Sequence, residues 1–251
     1  MAARILPDLS KIAEAFGTDR FHLVGHSKGG LYGRALATRS VGIFTLTTLD
    51  TPHEGSPMAD YLVALDAHLI SLLVKNVVLA DVLIYRATHR RQKPDAYSDL
   101  RVEYRQRYNG DHLLPRGSDG PPIRNEIGYE AVASDAQNPQ GGALDAEGYF
   151  GSIVARKMYR TYQITKLIHF TYTNGKITVG TVVPPAGPVR NDLVVPVSSQ
   201  QYSGSPAGSP PFLSLPAGQV LFHNHTTVGK SDVGTIVSQR LTVSRQAELK
   251  R

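Results

Sequence analysis

Short apolar runs and helical spacing alternate through the first fifty residues, and that alternation sets the expected architecture. From Pro7 to Phe16 the apolar positions Leu9, Ile12, Ala13 and Phe16 recur at three- and four-residue steps before Gly17, which predicts a helix opened near a proline and stopped by a glycine. Phe21-His22-Leu23-Val24, closed by Gly25, reads as a buried strand; helical spacing resumes from Gly29 to Thr38, and Val41 to Leu49 reads as a second buried strand. A helix crossing between two such strands implies parallel pairing, hence an α/β fold with a mainly parallel central sheet.

Further along, residues 58 to 108 predict helices, apolar at first and then basic through Arg86, Arg90, Arg91, Lys93, Arg101, Arg105 and Arg107. With the turn-rich stretch 109 to 125 they read as a cap or lid-like insertion of about 58–125. Ile127 to Ala133 predicts a strand and Asn138 to Gly148 a loop. Leu167 to Thr173 and Lys176 to Val183 flank Asn174-Gly175, a pair suited to a type I′ turn, and so predict a β-hairpin inside a second insertion of about 136–190. The Gly-, Ser- and Pro-rich stretch 203 to 218 predicts a surface loop, because the short segments after it cannot form a core alone. Val220 to Phe222 is then the last core strand and Asp232 to Gln246 a closing helix capped by Ser231. The expectation is a single domain, 1–251.

Composition narrows the chemistry. With 41% hydrophobic and 19% charged residues over 251 positions, the chain can bury a proper core, which excludes the disordered and fibrous classes. The net charge of +6 is modest and sits on no nucleic-acid motif, so no nucleic-acid partner is expected. The cysteine count is 0, which removes disulfides, thiolate metal sites and cysteine nucleophiles and leaves Ser, Thr, Lys or a carboxylate for nucleophilic chemistry. Met-Ala-Ala-Arg-Ile-Leu-Pro does not read as a signal peptide. The apolar tract from Tyr61 to Tyr85 is interrupted by Asp66, His68, Lys75, Asn76 and Asp81. Charges at bilayer depth cost about 2.5 to 3.5 kcal/mol each, so a membrane-spanning helix is a poor reading.

The sharpest signal is Gly25-His26-Ser27-Lys28-Gly29-Gly30, a Gly-x-Ser-x-Gly sequence between an apolar strand and a helix. A serine on so tight a turn takes a strained backbone conformation, and the flanking glycines let neighbouring segments approach without a Cβ clash. The Ser27 hydroxyl projects at the sheet edge, and at the N-terminus of the following helix the backbone N–H of Lys28 can face a developing oxyanion. A chance glycine-rich turn is the bland alternative for the bare pattern.

Two segments together resemble the α/β-hydrolase fold, in particular bacterial triacylglycerol lipases and esterases. Phe21 to Leu31 carries the elbow, and Leu49-Asp50-Thr51-Pro52-His53-Glu54-Gly55-Ser56 is similar to the Thr-Pro-His-x-Gly-Ser segment these lipases carry after the next strand. The resemblance covers residues 5 to 62 well and 127 to 135 and 190 to 232 more loosely. It implies a serine nucleophile followed in chain order by an acid and then a histidine. Asn191-Asp192-Leu193-Val194-Val195-Pro196 resembles the acid-bearing segment, although the usual glycine after the aspartate is missing. Asp192 is therefore the expected acid, with Asp50 and Asp135 as alternatives at strand ends.

Of nine histidines, only His223 and His225 follow Asp192. The family's Asn-His pair after the last strand selects His225 over His223. His26 and His53 read as structural, His26 pointing away from the nucleophile on its tight turn. No helical His pair suggests zinc, the acidic pattern of a structural calcium is missing after His225, and no cofactor is expected.

The resemblance implies a carboxylic ester hydrolase, with an ester or lipid as its small-molecule substrate and the tract 61 to 79 as a lid over a greasy acyl site. A polyester depolymerase or acyltransferase with the same triad, and a catalytically impaired or partner-dependent binding module, are the alternatives. The last arises because only 24 residues precede Gly25, so the sequence looks N-terminally shortened, without the upstream strands and the loop giving a second oxyanion N–H. An unpartnered upstream strand edge would then invite self-association.

Overall fold

The computed structural model describes residues 2–37, 42–60, 95–111, 129–138, 143–148, 155–156, 159, 167–173, 176–182, 189–201, 213–214, 220–229, 234–239 and 242. The expected apolar tract 61 to 79, the turn-rich residues 112 to 125, the Asn174-Gly175 turn and the Ser231 cap lie outside them.

Helix α1 (Ala2–Phe16) leads into strand β1 (Phe21–His26), helix α2 (Lys28–Ala37) and strand β2 (Ile43–Leu49). The expected strand-helix-strand order is present, and β1 and β2 pair in parallel from Phe21↔Ile43 to His26↔Leu49. One expectation fails at α1. The helix starts at Ala2 and holds Pro7 inside it, because Pro7 still lies in the second turn, where its missing N–H costs a single bond and Ala2 to Leu6 are mostly good helix formers. Its buried side follows: Leu9 enters the core with Ile5 and Leu6 packed nearby, whereas Phe16 is 78% exposed and Ile12 43% exposed. That core layer joins Leu36 and Ala37 of α2 to Ile43 and Leu46 of β2.

Strands β3 (Tyr129–Val132) and β4 (Ser134–Asp135) form one extended run that changes partner at Ala133. β3 continues the parallel sheet beside β2, and β4 pairs in parallel with β8 (Leu221–Phe222). The expected loop 203 to 218 contains a strand, β7 (Leu213–Ser214), paired in parallel with β3. Two residues leave no periodicity to read, and their pairing is set by the Glu130–Ala131 backbone they lie against. The sheet order is β1-β2-β3-β7. Strands β5 (Leu167–Thr173) and β6 (Lys176–Val182) make the expected antiparallel hairpin.

Between β2 and β3 in sequence, helix α3 (Asp95–Ser98) and helix α4 (Val102–Asp111) lie in the expected cap region, α4 running into the stretch expected to be turn-rich from 109. This segment is tied to the body: Lys28 Nζ meets Asp99 at 2.6 Å, Arg101 Nε meets Asp60 at 3.1 Å and Asn109 Nδ2 donates to the His53 carbonyl at 2.9 Å. A further helix, α5 (Val197–Gln201), follows the Asp192 loop.

Candidate active site

Ser27 sits where β1 turns into α2, with φ of 54°. Its N–H donates to the Leu49 carbonyl at 2.8 Å, extending the β1–β2 ladder by one bond and fixing the turn at the carboxyl ends of the strands. The turn needs Gly25: a Cβ there would lie 2.6 Å from the Gly30 Cα, so strand and helix meet more closely than any side chain permits. Lys28 opens α2, whose first-turn amides point out of the helix end beside Ser27.

Asp192 is fully buried and lies on the loop closed by the Asn191–Pro196 bridge. Its Oδ1 accepts from the amides of Val194 at 2.9 Å and Val195 at 2.6 Å. The next residue, Leu193, has φ of 81°, the left-handed conformation that a glycine adopts freely and a leucine only under strain. The backbone shape is thus kept without the glycine, with the Leu193 side chain buried and its N–H bound to Asn191 Oδ1 at 2.9 Å. The Thr51–Ser56 turn buttresses this loop: Ser56 Oγ donates to the Val194 carbonyl, the His53 N–H to the Ser199 carbonyl and the Ser199 hydroxyl to the Gly55 carbonyl.

His225 joins the two. Its Nδ1 donates to Asp192 Oδ2 at 2.7 Å, and Ser27 Oγ donates to Nε2 at 2.8 Å, the tautomer being set by the carboxylate. The histidine backbone is held at both ends, its N–H donating to the Asp192 carbonyl at 2.9 Å and its carbonyl accepting from His26 Nε2 at 2.9 Å. Burial pushes the His225 pKa down, but the charge and hydrogen bond of Asp192 outweigh it and raise it above the ordinary histidine value.

The other expectations sort as follows. Asp135 faces Arg190 Nε at 2.7 Å and the Tyr159 hydroxyl at 3.1 Å, so its carboxylate is committed elsewhere. Asp50 is buried beside the site and takes the Ser134 hydroxyl at 2.6 Å. His223 is half-buried, and its neighbour in charge is Asp145. His53 is buried between Arg34 and Thr48; burial and the nearby Arg34 and Arg105 charges hold it neutral, with Nε2 donating to Thr48 Oγ1 at 2.9 Å. His26 departs from its expectation: it does not point away but stacks at a tilt on His225, ring centroids 4.9 Å apart. The short turn brings it there because Ser27 and His26 leave the strand on the side where the 224–227 turn closes.

Sequence reasoning missed Asp145. Its Oδ2 accepts from the Asn224 N–H at 3.0 Å and the Thr227 hydroxyl at 2.5 Å, which pins the turn that carries His225. The buried Asn224 completes the clamp through Nδ2 to the Glu147 carbonyl at 2.9 Å. No spacing links residue 145 to 224, so nothing in the pattern could have found it. Among the described residues, His26, Asp50 and His225 bring one possible metal-ligand atom each within 4.8 Å of one another. Both nitrogens of His225 are already bound to Asp192 and Ser27, so the donor set does not suit a cation.

A hydroxyl that donates to an imidazole whose other N–H is held by a carboxylate can lose its proton as it attacks an electrophilic carbon. No protein-family model matches the chain. Triacylglycerol lipase 2 of Saccharomyces cerevisiae is 37% identical over 90 residues, 34% of this chain and 27% of that protein. A triacylglycerol lipase of Pseudarthrobacter phenanthrenivorans is 36% identical over 59 residues, 23% of this chain and 18% of that lipase. The chain thus spans about a quarter or less of the curated relatives it matches. The mature form of the Bacillus licheniformis lipase BlEst2 superposes with a TM-score of 0.54 at 18% identity, over 96% of this chain and 72% of that one.

Proposed function

We propose that this chain, which has the α/β-hydrolase fold and is similar to triacylglycerol lipases over part of its length, hydrolyses carboxylic esters with Ser27 as nucleophile, His225 as base and Asp192 as acid. The observation that carries the reading is the unbroken chain of hydrogen bonds from Ser27 Oγ through the His225 ring to Asp192, at 2.8 and 2.7 Å. Ser27 Oγ attacks the ester carbonyl carbon as its proton passes to His225 Nε2. The Lys28 N–H faces the oxyanion. His225 then gives the proton to the departing alkoxide, leaving an acyl-Ser27, which water hydrolyses by the same steps in reverse. Asp192 keeps Nδ1 protonated throughout and stabilises the imidazolium. The chemistry needs no metal or organic cofactor.

By sequence, the apolar tract 61 to 79 supports a lipid acyl chain over a short, soluble ester. p-Nitrophenyl esters of increasing acyl length test both points. Hydrolysis that rises with chain length, labelling of Ser27 by a fluorophosphonate, and loss of both in Ser27→Ala are expected. Labelling that survives Ser27→Ala would place the nucleophile elsewhere.

A further inference from the structure

The buried Asp50 carboxyl adjoins the Ser27, His225 and Asp192 chain, yet the reaction above gives it no part. It stands directly after β2, with φ of 48° and its N–H donating to the Val132 carbonyl at 3.0 Å, so its backbone is fixed. Ser134 Oγ donates to Oδ2 at 2.6 Å, and among the described residues no N–H or hydroxyl donor reaches the buried Oδ1. The carboxyl lies beside that of Asp192, near enough for the two to interact. One of its oxygens is also within 4.8 Å of a ring nitrogen of His225 and of one of His26.

Two fully buried carboxyls in contact cannot both be ionised, and oxygen meets oxygen in a hydrogen bond only when one of them carries a proton. The surroundings decide which. Asp192 accepts two backbone amides and the imidazole N–H, three donors that call for acceptor oxygens. Among the described residues, Asp50 accepts one hydroxyl, that of Ser134.

We propose that Asp50 is a positioning residue whose neutral carboxyl donates a hydrogen bond to Asp192, so that the two buried acids share one negative charge beside His225. Burial first, and then the Asp192 charge, push Asp50 well above the ordinary carboxylate range, in the same direction. The groups that face it are Asp192, His225, His26 and Ser134. The donated bond holds the Asp192 carboxylate and moderates its pull on the imidazolium. The kinetic part of this rests on the ester-hydrolase reading; the location of the proton does not.

The test uses the full chain labelled with 13C at its aspartate carboxyls, the Asp50 resonance being the one lost in Asp50→Asn. It is expected to keep the shift of a neutral acid from about pH 5 to pH 8, far above the ordinary aspartate midpoint of about 3.9. A resonance that titrates near that ordinary midpoint overturns the proposal. In p-nitrophenyl ester hydrolysis, Asp50→Ala should lower kcat about tenfold, the worth of one hydrogen bond to a charged group, with KM moved less than about twofold. Its acidic limb in kcat/KM should rise, because Asp192 without its donor holds the imidazolium more tightly. Asp50→Asn, whose amide N–H can donate to Asp192 while its carbonyl accepts from Ser134, should recover most of that kcat and bring the limb back. A limb displaced downward by about one unit in Asp50→Asn is the mark of a lost negative charge and overturns the proposal. If the unmodified chain cleaves no ester, the reaction assigned to Ser27 fails, and the carboxyl resonance still decides where the proton lies.

Discussion

At the scale of single residues, His225 is governed by two opposed effects, and their balance has a measurable sign. Burial disfavours its imidazolium, and the adjoining Asp192 carboxylate more than restores it. Only neutral His225 can take the Ser27 proton, so activity is lost as pH falls, and the acidic limb of kcat/KM should lie above the ordinary histidine value of about 6.5. The same raised pKa adds stability that is fully present below the unfolded value and disappears as pH rises through the folded one. A limb below the ordinary value would mean that desolvation dominates. His225→Ala should lower kcat about 10⁴-fold. His223→Ala should cost far less, since it is His225 whose Nε2 holds the Ser27 hydroxyl. The reverse ranking would move the base to His223. Ser27, Asp192 and His225 were legible because chain order and local motif mark them. Asp145 and Asp50 were not, because a hydrogen bond across 79 residues, or a contact between two carboxyls, leaves no periodic trace.

At the scale of elements, the strand-to-helix turn depends on how closely β1 and α2 approach. A methyl group on Gly25 would sit 2.6 Å from the Gly30 backbone, where nothing flexible can give way. Gly25→Ala should therefore destabilise the protein by about 1 to 3 kcal/mol, as overpacking does. For a chain of this size that lowers Tm by about 3 to 10 °C, read by thermal denaturation. The Ser27 nucleophile should also shift enough to lower kcat. An unaltered Tm would show that strand and helix can part at no cost. Leu193 makes the opposite point: the left-handed turn after Asp192 survives without a glycine because the leucine side chain is buried and its N–H is bound to Asn191. Burial there outweighs a strain of about 1 to 3 kcal/mol, which sequence inspection alone had no means to weigh.

At the scale of the whole molecule, β1 pairs only with β2 among the described residues, leaving an edge without a strand partner among them, with Val24 47% exposed beside the Ser27 turn. We propose that the chain self-associates through this edge. Light scattering after size-exclusion chromatography should show concentration-dependent association, relieved in Val24→Lys, because a charge on an edge strand blocks pairing with another chain. A monodisperse monomer at all concentrations would count against it. The α/β alternation, the parallel β1–β2 pair and the elbow were determined by sequence, since each depends on residues near one another along the chain; the expected order Ser27, Asp192, His225 came from the family resemblance. Which strand partners Ser134 and Leu213, how His26 turns onto His225 and where Asp50 meets Asp192 were decided only by tertiary structure. These contacts join segments tens to hundreds of residues apart, and their energies come from burial and charge in a shared interior, a property no single segment carries by itself.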